Sequence, residues 1–319
     1  MSYPTRMQAG PPTANAILIA GAPRSGTTWL AKIFDSHPGT IYRHEPDEVA
    51  PPTRDIAADL VRWARQTDPR TAGKRPFFPK SWQATPARWL RASLAYASAA
   101  AARAHLPPCP IPDLGDTNHA RLTLKSVRLD TEIGAFAKTF PEGRAILILR
   151  HPCGQVGSVM RGNRAGRFVL AEDGTDMPFD EATAIAFAAR HGLSEPAFQA
   201  QTDAAKYAWA WRAFNETATA AIANTPNARL TIYETLCAEP ARETKDLFAF
   251  AGLPWDKQTE TFLTRSTTHE GKAGYYAVVQ NSLAAAERWR ATMSPEDQAA
   301  VKDVVRDSPL AKHWPGLTT

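Results

Sequence analysis

The sequence is poor in cysteine, and the cysteines it has do not cluster. Cys109, Cys153 and Cys237 are three in number, far apart, and form no C-x-x-C pair. Such a set argues against a disulfide framework and against a zinc site, and it points to a reducing compartment. Long apolar runs are also missing, since no stretch reaches the roughly 18 residues a membrane-spanning helix needs. Residues 1–13 are polar and proline-rich with no apolar core, which argues against a secretory signal, so a cytoplasmic location is expected. No strong charge imbalance exists either: 37 Lys and Arg oppose 32 Asp and Glu, a net +5. That surplus suits anionic small molecules but is too small and dispersed to mark a nucleic-acid binder. No internal repeat is visible. What remains is 319 residues, 44% of them hydrophobic, which is enough for a sizeable core.

Short apolar runs stop at turn residues. Residues Ala16–Ala20 end at Gly21, Leu122–Leu124 end near Lys125, Ala145–Leu149 end at Arg150 and Pro152, and Leu230–Tyr233 follow Thr225-Pro226-Asn227. Continuous apolar runs of this length read as strands buried on both faces. Helical patterns at Ser25–Ser36, Thr202–Ala223 and Glu239–Ala251 lie between or after them, the last ending at Gly252. Another helix starts at Ser294, with Pro295 at its first position and Asp297 at its third. The alternation predicts an α/β fold: a single domain over residues 15–319 with a central parallel sheet flanked by helices, after a flexible segment 1–14. Two stretches fit no such scheme. Residues 46–118 are rich in Pro, Trp, Ala and Arg, with nine Lys/Arg and three Asp/Glu between Ala50 and Arg91. Residues 168–202 are acidic, through Glu172, Asp173, Asp176, Asp180, Glu181 and Glu195. In open α/β folds ligands bind beyond the strand carboxyl ends, so both excursions are expected to shape a ligand pocket. Within the first, Ala92–Ala104 is a helix candidate.

The sharpest motif is Gly21-Ala22-Pro23-Arg24-Ser25-Gly26-Thr27-Thr28-Trp29, between a buried strand and a helix. Glycines let the backbone approach a phosphate, and first-turn amides point at it. The spacing matches a phosphate loop up to the second glycine. Thr27 then stands where such a loop needs lysine, and the strong cation is Arg24 instead. The loop suits one phosphate with a further charged group bridged by Arg24, rather than a triphosphate held with Mg²⁺. A second candidate follows the strand ending at Leu149: Arg150, with Pro152 opening a helix and Ser158 inside it. A guanidinium fork and a hydroxyl there suit another phosphate. Two separated anion sites imply a nucleotide phosphorylated at two positions.

On these residues the chain resembles the sulfotransferases that use 3′-phosphoadenosine 5′-phosphosulfate (PAPS). Pro23–Trp29 is similar to their 5′-phosphosulfate loop, P-R-S-G-T-T-W, and Arg150, Pro152 and Ser158 to their 3′-phosphate motif. Tyr233-Glu234-Thr235-Leu236 with Phe248–Pro254 resembles another family segment, and Arg288-Trp289-Arg290 a fourth. The resemblance implies a P-loop-like sulfotransferase fold, PAPS as donor, PAP as product, a hydroxylated acceptor and no metal. It implies that Arg24 meets the sulfonate and bridging oxygen. Ser25, Gly26, Thr27 and Thr28 would bind the 5′-phosphate, Trp29 would stack on adenine, and Arg150 with Ser158 would bind the 3′-phosphate. Tyr233 would contact the base, and residues 267–290 would cover the 3′-phosphate through Lys272 or Arg288, with Gly271 and Gly274 as suggestive neighbours.

Sulfonate transfer needs a general base opposite a cationic clamp. The phenol-type relatives place a histidine base in a K-T-H motif, whereas this chain has Lys125-Ser126-Val127. The lysine is kept and expected to support the leaving group or the sulfonate. Glu45, in His44-Glu45-Pro46, resembles the glutamate that many carbohydrate-type and bacterial members place soon after the first helix and is the leading base candidate, which asks for partial burial to raise its pKa. His44 and a residue of the acidic excursion stay open as alternatives. Two other functions also stay open: a P-loop kinase of a small alcohol or nucleoside, and a PAP-binding module without activity.

Overall fold

A parallel sheet covered on both faces needs apolar residues at nearly every strand position. Five strands supply them: β1 (Ile17–Ala20), β2 (Thr40–His44), β3 (Arg121–Ser126), β4 (Arg144–Leu149) and β5 (Ala228–Ile232). In the computed structural model, which describes residues 12–166, 180–268 and 282–317, these strands form one sheet in the order β2-β3-β1-β4-β5. Every pair is parallel. Ile17 lies level with Thr123 on one side and Arg144 on the other, so β1 and β3 end together and β4 runs two residues further.

The helices are α1 (Thr27–Ser36), α2 (Pro46–Val49), α3 (Ile56–Ala64), α4 (Pro69–Ala72), α5 (Thr85–Arg103), α6 (Glu132–Thr139), α7 (Pro152–Arg164), α8 (Glu181–Arg190), α9 (Glu195–Gln199), α10 (Asp203–Ile222), α11 (Tyr233–Ala238), α12 (Pro240–Ala251), α13 (Lys257–Thr268), α14 (Ser282–Thr292) and α15 (Pro295–Val305). Alternate strand residues serve opposite faces. Ile17, Ile19, Ile146 and Ile148 pack with Leu30 and Phe34 of α1, Leu236 of α11, and Leu247 and Phe248 of α12. Leu18, Leu122, Leu124 and Leu147 pack with Trp63 of α3, Ile133 and Phe136 of α6, and Ile222 of α10. A third cluster joins α7, α8, α10, α14 and α15 around Trp211 and Trp289.

The predicted strands and the helices α1, α10, α12 and α15 are present with boundaries shifted by one to three residues. Gly252 caps α12 at φ 66°, and the Ser294 side chain accepts the Asp297 amide. Tyr233 differs from expectation: it opens α11 rather than ending β5. The 46–118 excursion holds four helices, and Ile56, Leu60 and Trp63 of α3 complete the core beneath β1 and β3. It is therefore structural as well as peripheral. Of the acidic excursion, Glu172, Asp173 and Asp176 lie outside the described residues. Its described part packs Phe187 and Phe198 into the third cluster beside α10.

The strand order fixes where a ligand goes. The chain leaves β1 toward β2, on one side, and leaves β4 toward β5, on the other. Their outgoing connections diverge, and this divergence opens a crevice at the carboxyl edge between adjacent β1 and β4.

One ionic knot braces α1 on the side of the first excursion. Lys32 is fully buried, with Nζ 2.7 Å from Asp35 Oδ2 and donating to the carbonyls of Lys74 (2.7 Å) and Pro76 (3.2 Å). Lys80 approaches the other Asp35 oxygen at 3.0 Å. Burial pulls the Lys32 ammonium down to about 8, against the raising effect of Asp35. Burial pushes the Asp35 carboxyl up, but the two lysines outweigh it and hold it below its ordinary value. A depressed carboxylate stabilises the fold above its unfolded pKa and loses that contribution as pH falls through the folded value. Asp35→Asn strands two buried cations. It should cost about 3–5 kcal/mol, read from the urea midpoint at neutral pH, with a smaller deficit in acid.

Candidate active site

The turn after β1 is made of backbone that few residues tolerate. A Cβ on Gly21 would stand 2.6 Å from the Ile148 carbonyl oxygen, and Gly26, at φ 98°, would place one 2.4 Å from the Tyr233 ring. Arg24 itself holds φ 69°. The loop closes through the Ser25 amide on the Ala22 carbonyl (3.1 Å), and α1 begins with no acidic residue in its first turn. The positive end of that helix is thus left for an anion. Ser25 Oγ is buried with no hydrogen-bond partner among the described residues. A buried hydroxyl so left costs about 1–3 kcal/mol, which a ligand oxygen would recover.

Across the crevice, Arg150 follows β4 and is 7% exposed. Its Nη1 donates to the Arg24 carbonyl and its Nη2 to the Ala285 carbonyl of α14, both at 2.9 Å. The guanidinium lies 4.6 Å from the Tyr233 ring centre, and its buried Nε has no partner among the described residues. α7 starts at Pro152, again with no acid in its first turn. Ser158, on α7, is buried and accepts from Arg24 Nε at 3.2 Å. Two motifs some 130 residues apart thereby meet at one crevice. The turn between β4 and α7 is held from behind. Glu234 accepts the His151 amide (3.1 Å) and Trp314 Nε1 (3.3 Å), Trp211 Nε1 donates to the Arg150 carbonyl (3.0 Å), and the His151 ring stacks on Trp289 at 4.5 Å.

The other side of β1 carries a second group. Parallel pairing sets His44 level with Lys125, at the ends of β2 and β3. Glu45 adopts φ 43° and donates its amide to the Lys125 carbonyl at 2.7 Å, while its carboxylate pairs with the Lys125 ammonium. His44 Nε2 is 3.9 Å from Glu45 Oε1, and its Nδ1 is 2.6 Å from the Tyr42 hydroxyl. Burial and then the charge of Lys125 push the His44 imidazole far below its ordinary range, so it is neutral at pH 7. Burial raises the Glu45 carboxyl, but the charge and hydrogen bond of Lys125 outweigh it, and the net shift is downward. Nearby, the Asp47 carboxylate accepts from Ser126 Oγ at 2.8 Å, keeps Oδ1 buried and unpartnered, and is pushed up by burial.

A sequence model of the sulfotransferase family matches residues 16–176, which span β1 to the end of α7 and beyond. The chain belongs to the sulfotransferase family. A search of the curated proteins found no match. Among solved structures, the sulfotransferase domain of the Synechococcus PCC 7002 olefin synthase is 16% identical, with a TM-score of 0.48, over 97% of this chain and 100% of that one. A mouse sulfotransferase solved with PAP is 13% identical, with a TM-score of 0.46, over 96% and 90% of the two chains.

In this sulfotransferase the crevice gathers Arg24, Ser25, Gly26, Thr27, Thr28, Arg150, Ser158 and Tyr233. Glu45, His44 and Lys125 form the neighbouring group along the same sheet edge. Trp29 sits in the core at 8% exposure, its Nε1 donating to Ser266 (3.1 Å) and its ring edge-on to Tyr233 at 6.2 Å. Arg288 stands exposed on α14, one turn beyond the Ala285 carbonyl that meets Arg150. Lys272, Gly271 and Gly274 lie outside the described residues. The expectation that burial raises the Glu45 pKa is corrected: the adjacent lysine reverses the sign. Asp47 and the role of Glu234 were missed. Asp47 stands two residues beyond Glu45, and Glu234 lies within the Tyr233–Leu236 segment, so their places beside those motif residues were the available signal.

Gly26→Ala should cost about 1–3 kcal/mol, since it strains the backbone and drives a methyl into Tyr233. In Tyr233→Ala the added cost should shrink, because the steric part is gone. Urea unfolding of the two single variants and the double variant checks this, and additive losses would place the strain in φ alone.

Proposed function

We propose that this sulfotransferase moves the sulfonate of PAPS to a hydroxyl, or an amine, of an acceptor and releases PAP. The observation that supports this most is the meeting of the Gly21–Thr28 loop with Arg150 and Ser158 across the β1–β4 crevice. It sets two helix amino ends and two guanidinium groups beside one another, which suits a nucleotide carrying phosphates at two positions. The unpartnered Ser25 Oγ and Arg150 Nε fit that ligand, because each is a buried donor needing an acceptor. Thr27 and Thr28 would join Ser25 and Gly26 at the 5′-phosphate, and Arg150 and Ser158 would hold the 3′-phosphate. Tyr233 would border the base. Trp29 would support the base from the core, and Arg288 would close over the 3′-phosphate from α14. The free, buried cysteines Cys153 and Cys237 suit a cytoplasmic setting.

Transfer forms a bond from the acceptor oxygen to sulfur and breaks the bond from sulfur to the bridging phosphate oxygen. Negative charge gathers on that oxygen, where Arg24 stabilises it. The acceptor proton leaves on the opposite side. Glu45 is the proposed recipient: Lys125 keeps it ionised, and the neutral His44 beside it adds no competing positive charge. A carboxylate held below its ordinary pKa is a weak base, so its contribution comes from placement more than from proton affinity.

PAP should raise the melting temperature by a few degrees, since a ligand at 100 times its Kd stabilises by about 2.7 kcal/mol. Arg150→Ala should remove that shift. A shift with ATP and Mg²⁺ but none with PAP would favour a kinase instead. Glu45→Gln should keep the PAP shift and lose sulfonate transfer from PAPS in a screen of hydroxylated acceptors. Lys125→Met removes the strongest lowering influence on Glu45 and leaves burial opposed only by the weaker pulls of Glu48 and Lys74. Its carboxyl should then titrate higher than in the wild type, followed by ¹³C NMR.

A further inference from the structure

α5 is 19 residues long, yet among its side chains only Ala95 and Ser98 are fully buried. Its outer stripe runs through Trp89, Ser93, Tyr96, Ala100 and Arg103, spaced four and three apart as one helical face requires. Trp89 is 64% exposed, Tyr96 59% and the adjoining Leu90 53%, and Leu106 just past the helix is 60% exposed. A water-facing helix surface ordinarily carries charge. From Trp89 to Ala102 the sole charged residue is Arg91, and it turns inward to the Ala72 carbonyl at 2.7 Å.

The surroundings are cationic. From Pro69 to Pro112 the chain has seven Lys and Arg and no Asp or Glu. Lys80 and Arg91 point inward, Arg70 is paired with Asp68 at 3.0 Å and Lys74 acts on Glu45 and His44, which leaves Arg75, Arg88 and Arg103 beside the apolar stripe. The Arg75 guanidinium lies 5.0 Å from the Tyr96 ring centre and that of Arg88 lies 5.4 Å from the Trp89 ring centre. Aromatic rings beside arginines, above an apolar stripe, are the composition of a helix that rests in a bilayer interface.

We propose that the outer face of α5 docks flat on a bilayer containing anionic phospholipid. No helix among the described residues is long and apolar enough to cross a membrane, so the contact is peripheral. Charge selects this occupant over a second copy of the chain, which would press two acid-free cationic segments together. The apolar side chains select it over a soluble polyanion, which offers nothing to Leu90 and Leu106. Aromatic and aliphatic groups enter the headgroup boundary while the arginines meet lipid phosphates.

Flotation of the full chain with vesicles of phosphatidylcholine alone, and of equal parts phosphatidylcholine and phosphatidylglycerol, tests this. The chain should float with the mixed vesicles, less so as salt is raised, and hardly with the neutral ones. Trp89→Ser/Leu90→Ser/Tyr96→Ser, all exposed positions outside the proposed machinery, should weaken binding about tenfold or more. Quenching of wild-type tryptophan emission by brominated phosphatidylglycerol mixtures, reduced in Trp89→Phe, gives a second readout free of any folding defect in the triple variant. Absence of flotation, equal flotation with neutral vesicles, or undiminished binding of the triple variant would overturn the proposal. A dimer in sedimentation that the triple variant dissolves would overturn it in favour of a second copy.

Discussion

Arg150 is a permanent charge almost out of reach of water, and the crevice is built around its needs. A guanidinium cannot shed its proton, so burial forces the protein to surround it with acceptors. It finds the carbonyls of Arg24 and Ala285 and the face of Tyr233. These belong to the loop after β1, to α14 and to α11, three elements that Arg150 ties together. Tyr233, pinned beneath the cation, then presses against Gly26 and makes any side chain there intolerable. Glu234, one residue on, is raised by burial and lowered by Arg150, and it anchors the His151 amide behind the same turn. The conformation of the anion loop and the course of the chain after β4 are therefore solved together.

Along the sheet edge the charges divide into two kinds. On the β2–β3 side the buried Lys125 is met by a carboxylate, Glu45. On the β1–β4 side Arg150 is met by carbonyls and a ring, and Arg24 donates to a hydroxyl. The first arrangement pairs its charges internally. The second keeps its positive potential and attracts an anionic donor. β1 lies on the border, and its loop carries Arg24 to Ser158 on the β4 side.

The parts legible in the sequence are those whose cause is local. A buried strand followed by glycine and a helix start announces an anion loop without tertiary knowledge, and Arg150-x-Pro152 marks a strand end turning into a helix. The Ala285 carbonyl carries no side-chain signature, so its bond to Arg150 was invisible. Lys125 was recognised as a cation beside the site, but its effect on Glu45 depends on the register that levels His44 with Lys125, and that register is a long-range pairing. Burial alone gives Glu45 the wrong sign of shift. Helices α2 to α4 were missed because proline and arginine mask their periodicity, and tertiary bonds hold them in place. Trp63 Nε1 donates to the Ala50 carbonyl at 2.7 Å, and Arg43 bonds the Ala64 carbonyl at 2.8 Å and Asp113 at 2.6 Å.

The basic excursion also shows why a count of charges along a chain is not a map of its surface. Lys80 reaches Asp35 and the Asp35 and His37 carbonyls, and Arg91 caps the Ala72 carbonyl, so both act as internal ties. Their charge does little outside, because burial and carbonyl oxygens absorb it. Lys74 lies between the two regimes. Its carbonyl accepts from Lys32 inside, while its exposed ammonium still lowers the pKa values of Glu45, His44 and Lys125. One continuous acid-free segment thus braces α1 from within, biases the Glu45 and Lys125 group at the sheet edge from its middle, and presents aromatic and cationic groups outward at α5. The missing acids have a physical reason in all three places. A carboxylate inside would compete for the lysines that Asp35 already joins, one near Lys74 would raise Glu45 toward protonation, and one on α5 would add a charge to a face that is otherwise apolar.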